Sequence, residues 1–204
     1  MIPDQARRFR WKLWLTTAVT VVLLVCVTYG LLHQREIRNT IELSMSRSER
    51  SATKEYVYDA LSPTQQHLIT ILEAEYAVQP SGTKYAEGAN EPWCADFVSW
   101  VMKQSDMSFV NPNSGSWRIP GTHTLRDYFI AQGNWHPYGD GYEPKLGDIA
   151  IYDGDGPFGQ HTNFVLNYSS DGYLTTMGGN ENGAIHVQKH KLSDTLSAVG
   201  FAVL

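Results

Sequence analysis

Every stretch with helical periodicity in the folded part of this chain lies before Gly133, and every stretch with strand alternation lies after Gly147. Helices first and a meander of strands second is the order of an α+β fold, not of a parallel α/β sheet. Ser62-Pro63-Thr64-Gln65 opens the first helix, with Ser62 as cap, Pro63 in the first turn and Gln65 completing a capping box. Leu68, Ile71, Leu72 and Tyr76 form its apolar face. A second helix is expected from about Pro92 to Gln104, capped or favourably charged by Asn90 or Glu91, and a third from Thr122 to Gln132. Five strands follow: Asp148 to Tyr152, His161 to Tyr168, Tyr173 to Met177, Ile185 to Lys189 and Val199 to Val203. Ser169-Ser170-Asp171-Gly172 and Asn182-Gly183 separate neighbours in the manner of hairpins. The segment Gly133 to Gly147 is dense in glycine and aromatic residues and reads as loop.

Ahead of this domain, Leu13 to Gln34 carries no charge and centres on the apolar run Val19 to Val27. About 20 such residues span a bilayer core. No Ala-x-Ala-like cleavage site follows it, so the expectation is an uncleaved anchor and not a signal peptide. Arg7, Arg8, Arg10 and Lys12 precede the span, and Arg35 and Arg38 follow it. That balance favours a cytoplasmic N-terminus and a C-terminal domain outside the membrane. The expected organisation is a basic N-terminus over 1–12, an anchor over 13–34, a polar tether over 35–61 and a folded domain over 62–204.

Residues 62–204 carry seven Lys/Arg against fifteen Asp/Glu. So acidic a domain is a poor partner for phosphate backbones, and nucleic-acid binding is set aside. The two cysteines, Cys26 in the apolar run and Cys94 in the domain, offer neither an intrachain disulfide nor a cysteine-rich zinc site.

Cys94 stands at the start of the second helix, with Phe97, Val98 and Val101 at i+3, i+4 and i+7. A thiol in a first helical turn is favoured as thiolate by the helix dipole. A nucleophilic role needs a base and a group that orients the base. Of the seven histidines, His161 opens the central strand on its less apolar side, behind the turn Asp153 to Gln160. Asn180, in Gly178-Gly179-Asn180-Glu181-Asn182-Gly183, ends the next strand, which a hairpin brings beside His161. An amide oxygen there would accept the Nδ1–H of the imidazole and leave Nε2 facing the thiol. His186 and His190 have metal-pair spacing, but on a strand pattern with no glutamate between them they are not assigned to a metal. Asp153-Gly154-Asp155-Gly156 lacks the later ligands of a calcium loop and reads as a turn.

Glu91-Pro92-Trp93-Cys94-Ala95-Asp96-Phe97-Val98-Ser99-Trp100-Val101, then Lys145 to Ile149, His161 to Val165 and Gly179-Asn180, together resemble a CHAP domain. These are cysteine, histidine-dependent amidohydrolases/peptidases, a papain-like group that mostly cuts bacterial peptidoglycan. The resemblance spans roughly Ser62 to Leu204. It implies a papain-like α+β fold with helices on a five- to six-stranded antiparallel sheet, and hydrolysis of peptidoglycan amide bonds through an acyl-enzyme on Cys94. In that scheme His161 is the base and Asn180 the polar third residue. No cofactor is implied, and the metal-binding aspartates of some phage members are not evident between Gln79 and Trp93. Trp93, Trp117, Trp135 and Tyr138 are candidates for a substrate groove. Two positions depart from the family: Asn163 replaces a small residue, and Gly178 stands where many members have glutamate, with Glu181 a candidate substitute. The competing expectation is a non-catalytic wall-binding or scaffolding protein with a degenerate site.

Overall fold

The computed structural model describes residues 61–204. The expected basic N-terminus, the anchor over 13–34 and all but the last residue of the tether lie outside the described residues. Among the described residues, no helix is long and apolar enough to cross a membrane.

Three helices precede a six-stranded sheet. Helix α1 is Pro63–Val78, α2 is Cys94–Gln104 and α3 is Thr122–Gln132. The strands are β1 Trp135–Pro137, β2 Ile149–Tyr152, β3 His161–Tyr168, β4 Tyr173–Glu181, β5 Ala184–Lys191 and β6 Ala198–Ala202. The sheet order is β1-β6-β2-β3-β4-β5, and every neighbouring pair is antiparallel. The α+β expectation stands, with six strands.

The start of α1 follows the expected capping box: Gln65 N–H donates to Ser62 Oγ, and Gln65 Oε1 accepts from Ser62 N–H. Helix α2 departs from expectation. It begins at Cys94, two residues later than Pro92 suggests, and its N-cap is Trp93, whose side chain makes no capping bond. The physical reason is tertiary. The Trp93 ring stacks on Tyr85 at 5.2 Å and fills space that Gly82 and Gly179 leave by lacking a Cβ. Burying an indole outweighs the roughly 1 kcal/mol of a side-chain cap.

Period-2 alternation sends the two sets of strand side chains to two cores. Ile149, Ile151, Phe164, Leu166, Met177 and Ile185 join the apolar faces of the three helices. Ala150, Tyr152, Val165, Leu174 and Phe201 face the other way, where Tyr138, Tyr142, Phe158, Tyr168 and Leu192 cover them. Helix α2 packs on β3 and β4, with α1 alongside it. The start of α2 is thereby set against the central strands.

The approach of α2 to β4 depends on a missing side chain. A Cβ on Gly179 would overlap the Trp93 ring and lie 2.7 Å from Phe97 Cβ. Gly179→Ala is expected to destabilise the domain by about 1–3 kcal/mol through overpacking. Denaturant unfolding monitored by tryptophan fluorescence measures it; a midpoint equal to wild type would show that α2 can retreat from β4 without loss.

Candidate active site

Cys94 is the first residue of α2, and His161 the first of β3; each is 6% exposed. The first hydrogen bond of α2 runs from Phe97 N–H to Trp93 O at 2.9 Å. The N–H groups of Cys94, Ala95 and Asp96 therefore have no intrahelical partner, and no side chain caps them. The thiol thus sits beside free amide donors at the positive end of a helix.

His161 hydrogen-bonds to Glu181, whose Oε1 lies 3.2 Å from Nε2, and interacts electrostatically with the Cys94 thiol. With Nε2 turned to the carboxylate, Nδ1 is the ring nitrogen left for the thiol. Phe158 lies flat against the ring at 5.3 Å, with planes 8° apart. Burial alone would push the imidazole pKa down. The bonds and negative charge of Cys94 and Glu181 outweigh burial and raise it to about 9.

Asn180, the expected orienter, is not the residue on the ring. It adopts a left-handed backbone, φ 63°, and among the described residues its side chain makes no hydrogen bond. Its neighbour Glu181 takes the place, buried at 5% exposure. The arrangement is also reversed with respect to the ring nitrogens: the acceptor meets Nε2, not Nδ1.

Glu181 is held from three sides. Asn163 Nδ2 donates to its Oε1 at 3.3 Å, and Gln188 Nε2 donates to its Oε2 at 2.6 Å. Asn163 is itself fixed: its Nδ2 donates to Thr176 Oγ1, and its Oδ1 accepts from the Tyr152 hydroxyl, both at 3.1 Å. Gln188 Oε1 lies 2.8 Å from His190 Nε2. Asn163, noted above only as a departure from the resemblance, is part of this network. Tyr152, Thr176 and Gln188 carried no sequence signal of a role, because each reads as an ordinary strand residue.

The four aromatic candidates do not form one groove. Trp93 is in the core. Trp117 lies beneath the Lys103 ammonium, 4.5 Å from its ring, towards the far end of α2. Trp135 is on the edge strand β1 and packs over Gly200. Tyr138 lines a pocket of about 330 Å³ with Tyr142, Tyr168 and Phe201, and neither Cys94 nor His161 is part of its wall. The turn over 153–160 is tied down by Asp153 Oδ2 and Gln160 Nε2, both at His123 Nε2, at 2.9 and 3.0 Å. No cluster of three metal-binding side chains occurs among the described residues.

A second charged cluster braces the start of α2. Arg118 Nη1 donates to Asp96 Oδ1 at 2.8 Å and to Glu91 Oε1 at 2.6 Å, and Glu87 lies 3.5 Å from its Nε. Glu91, expected as a cap, is engaged here instead.

A nearly buried thiol, paired with an imidazole that a carboxylate holds, is equipped for attack on a carbonyl and for proton transfer to a leaving group. The family model described as CHAP domain matches residues 85–180. No curated protein matches the chain.

Proposed function

We propose, from the premise that residues 85–180 are a CHAP domain, that the chain is a cysteine-dependent amidohydrolase or peptidase that cuts amide bonds of peptidoglycan. The observation that carries the reading is the pairing of the nearly buried Cys94 thiol with the His161 imidazole, which raises the imidazole's pKa and joins the start of a helix to the start of a strand far along the chain. In this reading the Cys94 thiolate attacks the amide carbonyl. The free N–H groups at the start of α2, that of Cys94 among them, receive the oxyanion. The protonated His161 gives its proton to the leaving amine, and the acyl group remains as a thioester on Cys94. The neutral imidazole then takes a proton from water, which attacks the thioester and regenerates the thiol.

The apolar stretch 13–34 supports a single-pass anchor with the domain outside the cytoplasmic membrane, facing the wall. This placement gives a peptidoglycan hydrolase access to its substrate. The overall arrangement, a helix-borne cysteine packed on an antiparallel sheet that bears the histidine, is in keeping with a papain-like fold.

Incubation of the full chain with purified sacculi tests the proposal. Wild type is expected to release soluble fragments with new amino groups, and Cys94→Ala to release none above background. Equal release by both would overturn the cysteine mechanism. Binding to sacculi without cleavage by either would favour a wall-binding role instead.

A further inference from the structure

We propose that Glu181 is the positioning residue for His161 and that Gly178 is the vacancy this arrangement requires, so that positions 178 and 181 are alternative sources of a single carboxylate. The inference rests on the cysteine–histidine reading above and deepens it.

In a regular strand, residues three apart point to opposite faces. Strand β4 is not regular there. Gly178 pairs with His186 and Glu181 with Ala184, so β4 spends one more residue than β5 over the same stretch. Such a bulge shifts the alternation by one and brings 178 and 181 to the same side. The left-handed backbone of Asn180 lies within the bulge, a conformation asparagine tolerates better than most residues. The geometry shows the coincidence directly. A Cβ built on Gly178 would overlap Glu181 Oε1, lie 2.8 Å from Asn163 Cβ and 3.1 Å from His161 Nε2. A side chain rooted at 178 and the carboxylate from 181 therefore occupy the same place. The backbone of Gly178 does not itself demand glycine, since its φ is not in the left-handed region. What excludes a side chain there is Glu181 Oε1 together with the Cβ of Asn163.

The remaining contacts match a carboxylate with a fixed purpose. Oε1 is shared by His161 and Asn163, and Oε2 is taken by Gln188. The donors around it are neutral except for the imidazole, so the charge of Glu181 is directed at His161.

The test uses the full chain with Cys26→Ser, so that Cys94 is the only thiol, and reads the rate of its alkylation by chloroacetamide against pH. Glu181→Gln keeps the volume and removes the charge. It is expected to slow alkylation at neutral pH about tenfold, the equivalent of one unit in the pKa of the partner imidazole. Gly178→Glu alone places two carboxylates in one space and is expected to lower the thermal midpoint and the alkylation rate. Gly178→Glu combined with Glu181→Ala clears the carboxylate, leaves the Asn163 Cβ contact to be relieved by a small shift between β3 and β4, and is expected to recover part of both. Recovery by the pair of what each single change loses is the signature of a shared position, and a merely structural Glu181 would leave the pH profile of Glu181→Gln unchanged. The proposal is overturned if Glu181→Gln alkylates as wild type does across the pH range. It is also overturned if the double variant, folded by its thermal midpoint, alkylates no faster than Glu181→Ala. An unreactive Cys94 in the wild type would instead overturn the underlying cysteine reading, so the two failures are distinguishable.

Discussion

His161→Ala in the full chain is expected to lower the rate of amide cleavage by about 10²–10⁴-fold, the range that a positioned acid–base group contributes. The loss has two parts. Cys94 loses the group that holds its proton in the pair, and the leaving amine loses its donor. The imidazole carries a pKa of about 9: burial works against the charged form, but the hydrogen bonds and charges of Cys94 and Glu181 prevail. The alkaline limb of kcat/KM is accordingly expected near pH 9, where the ring gives up the proton destined for the amine. The same shift bears on stability. The folded value lies above the ordinary 6.5, so the pair's contribution is complete below about pH 6.5 and is lost as pH rises through about 9. Thermal midpoints should therefore fall between about pH 7 and pH 9.5 in wild type, and that part of the fall should vanish in His161→Ala. A wild-type alkaline limb at or below about pH 7 would contradict the assignment, since it would place the imidazole at its unperturbed value.

The second large effect concerns Arg118. Its replacement by alanine is expected to destabilise the domain by about 3–5 kcal/mol, the cost of stranding one partner of a buried ion pair. Asp96 is that partner. Its side chain is fully buried, Oδ1 takes the guanidinium, and Oδ2 has no hydrogen bond at all. Burial is the dominant influence on this carboxyl and raises its pKa to about 6, even though Arg118 pulls the other way. Glu87 and Glu91 are more exposed, and their pairing with Arg118 is worth at most about 1 kcal/mol each. The raised value sets a sign. Between about pH 4 and pH 6 the folded state holds a proton that the unfolded chain releases, so stability falls as pH rises through that window. Without Arg118 the fall is steeper, because ionised Asp96 is then unpaired. Urea unfolding at about pH 5 and pH 7.5 should give a smaller penalty for Arg118→Ala at the lower pH, where Asp96 is largely neutral. An equal penalty at both would locate the loss in packing of the Arg118 stem and not in the buried charge.

What could be read from the chain alone was what local chemistry determines. The cap of α1, the bounds of α3, the β3 span and the Asn182-Gly183 turn follow from residue types that have few alternatives. Cys94 was singled out by the helical stripe Phe97, Val98 and Val101 that follows it, and His161 by its place at the mouth of a strand. Three features were not legible, and each has a tertiary cause. Strand β1 is three residues long and ends in Pro137, so it carries no alternation, and only its pairing with β6 makes it a strand. The start of α2 is moved from Pro92 to Cys94 by the burial of Trp93 against Gly82 and Gly179, residues distant in sequence. The orienter was read as Asn180 because it follows the expected strand Tyr173 to Met177 and completes the Gly179-Asn180 resemblance, with Glu181 noted only as a candidate substitute. One extra residue in the bulge makes Glu181 the side chain that arrives. A period-2 argument has no means of detecting that insertion.

The order β1-β6-β2-β3-β4-β5 has a kinetic corollary. Strands β2 to β5 pair each with the next along the chain, so they can zip as successive hairpins. Strand β6 must slot between β1 and β2, closing the long loops back to Trp135 and Ile149. Loop-closure entropy makes such distant pairings the slow ones. His161 and Glu181 thus assemble early, within the quick-forming ribbon. Until β6 arrives, β2 presents an unsatisfied edge, which places the interval of greatest aggregation risk at the final step of sheet closure.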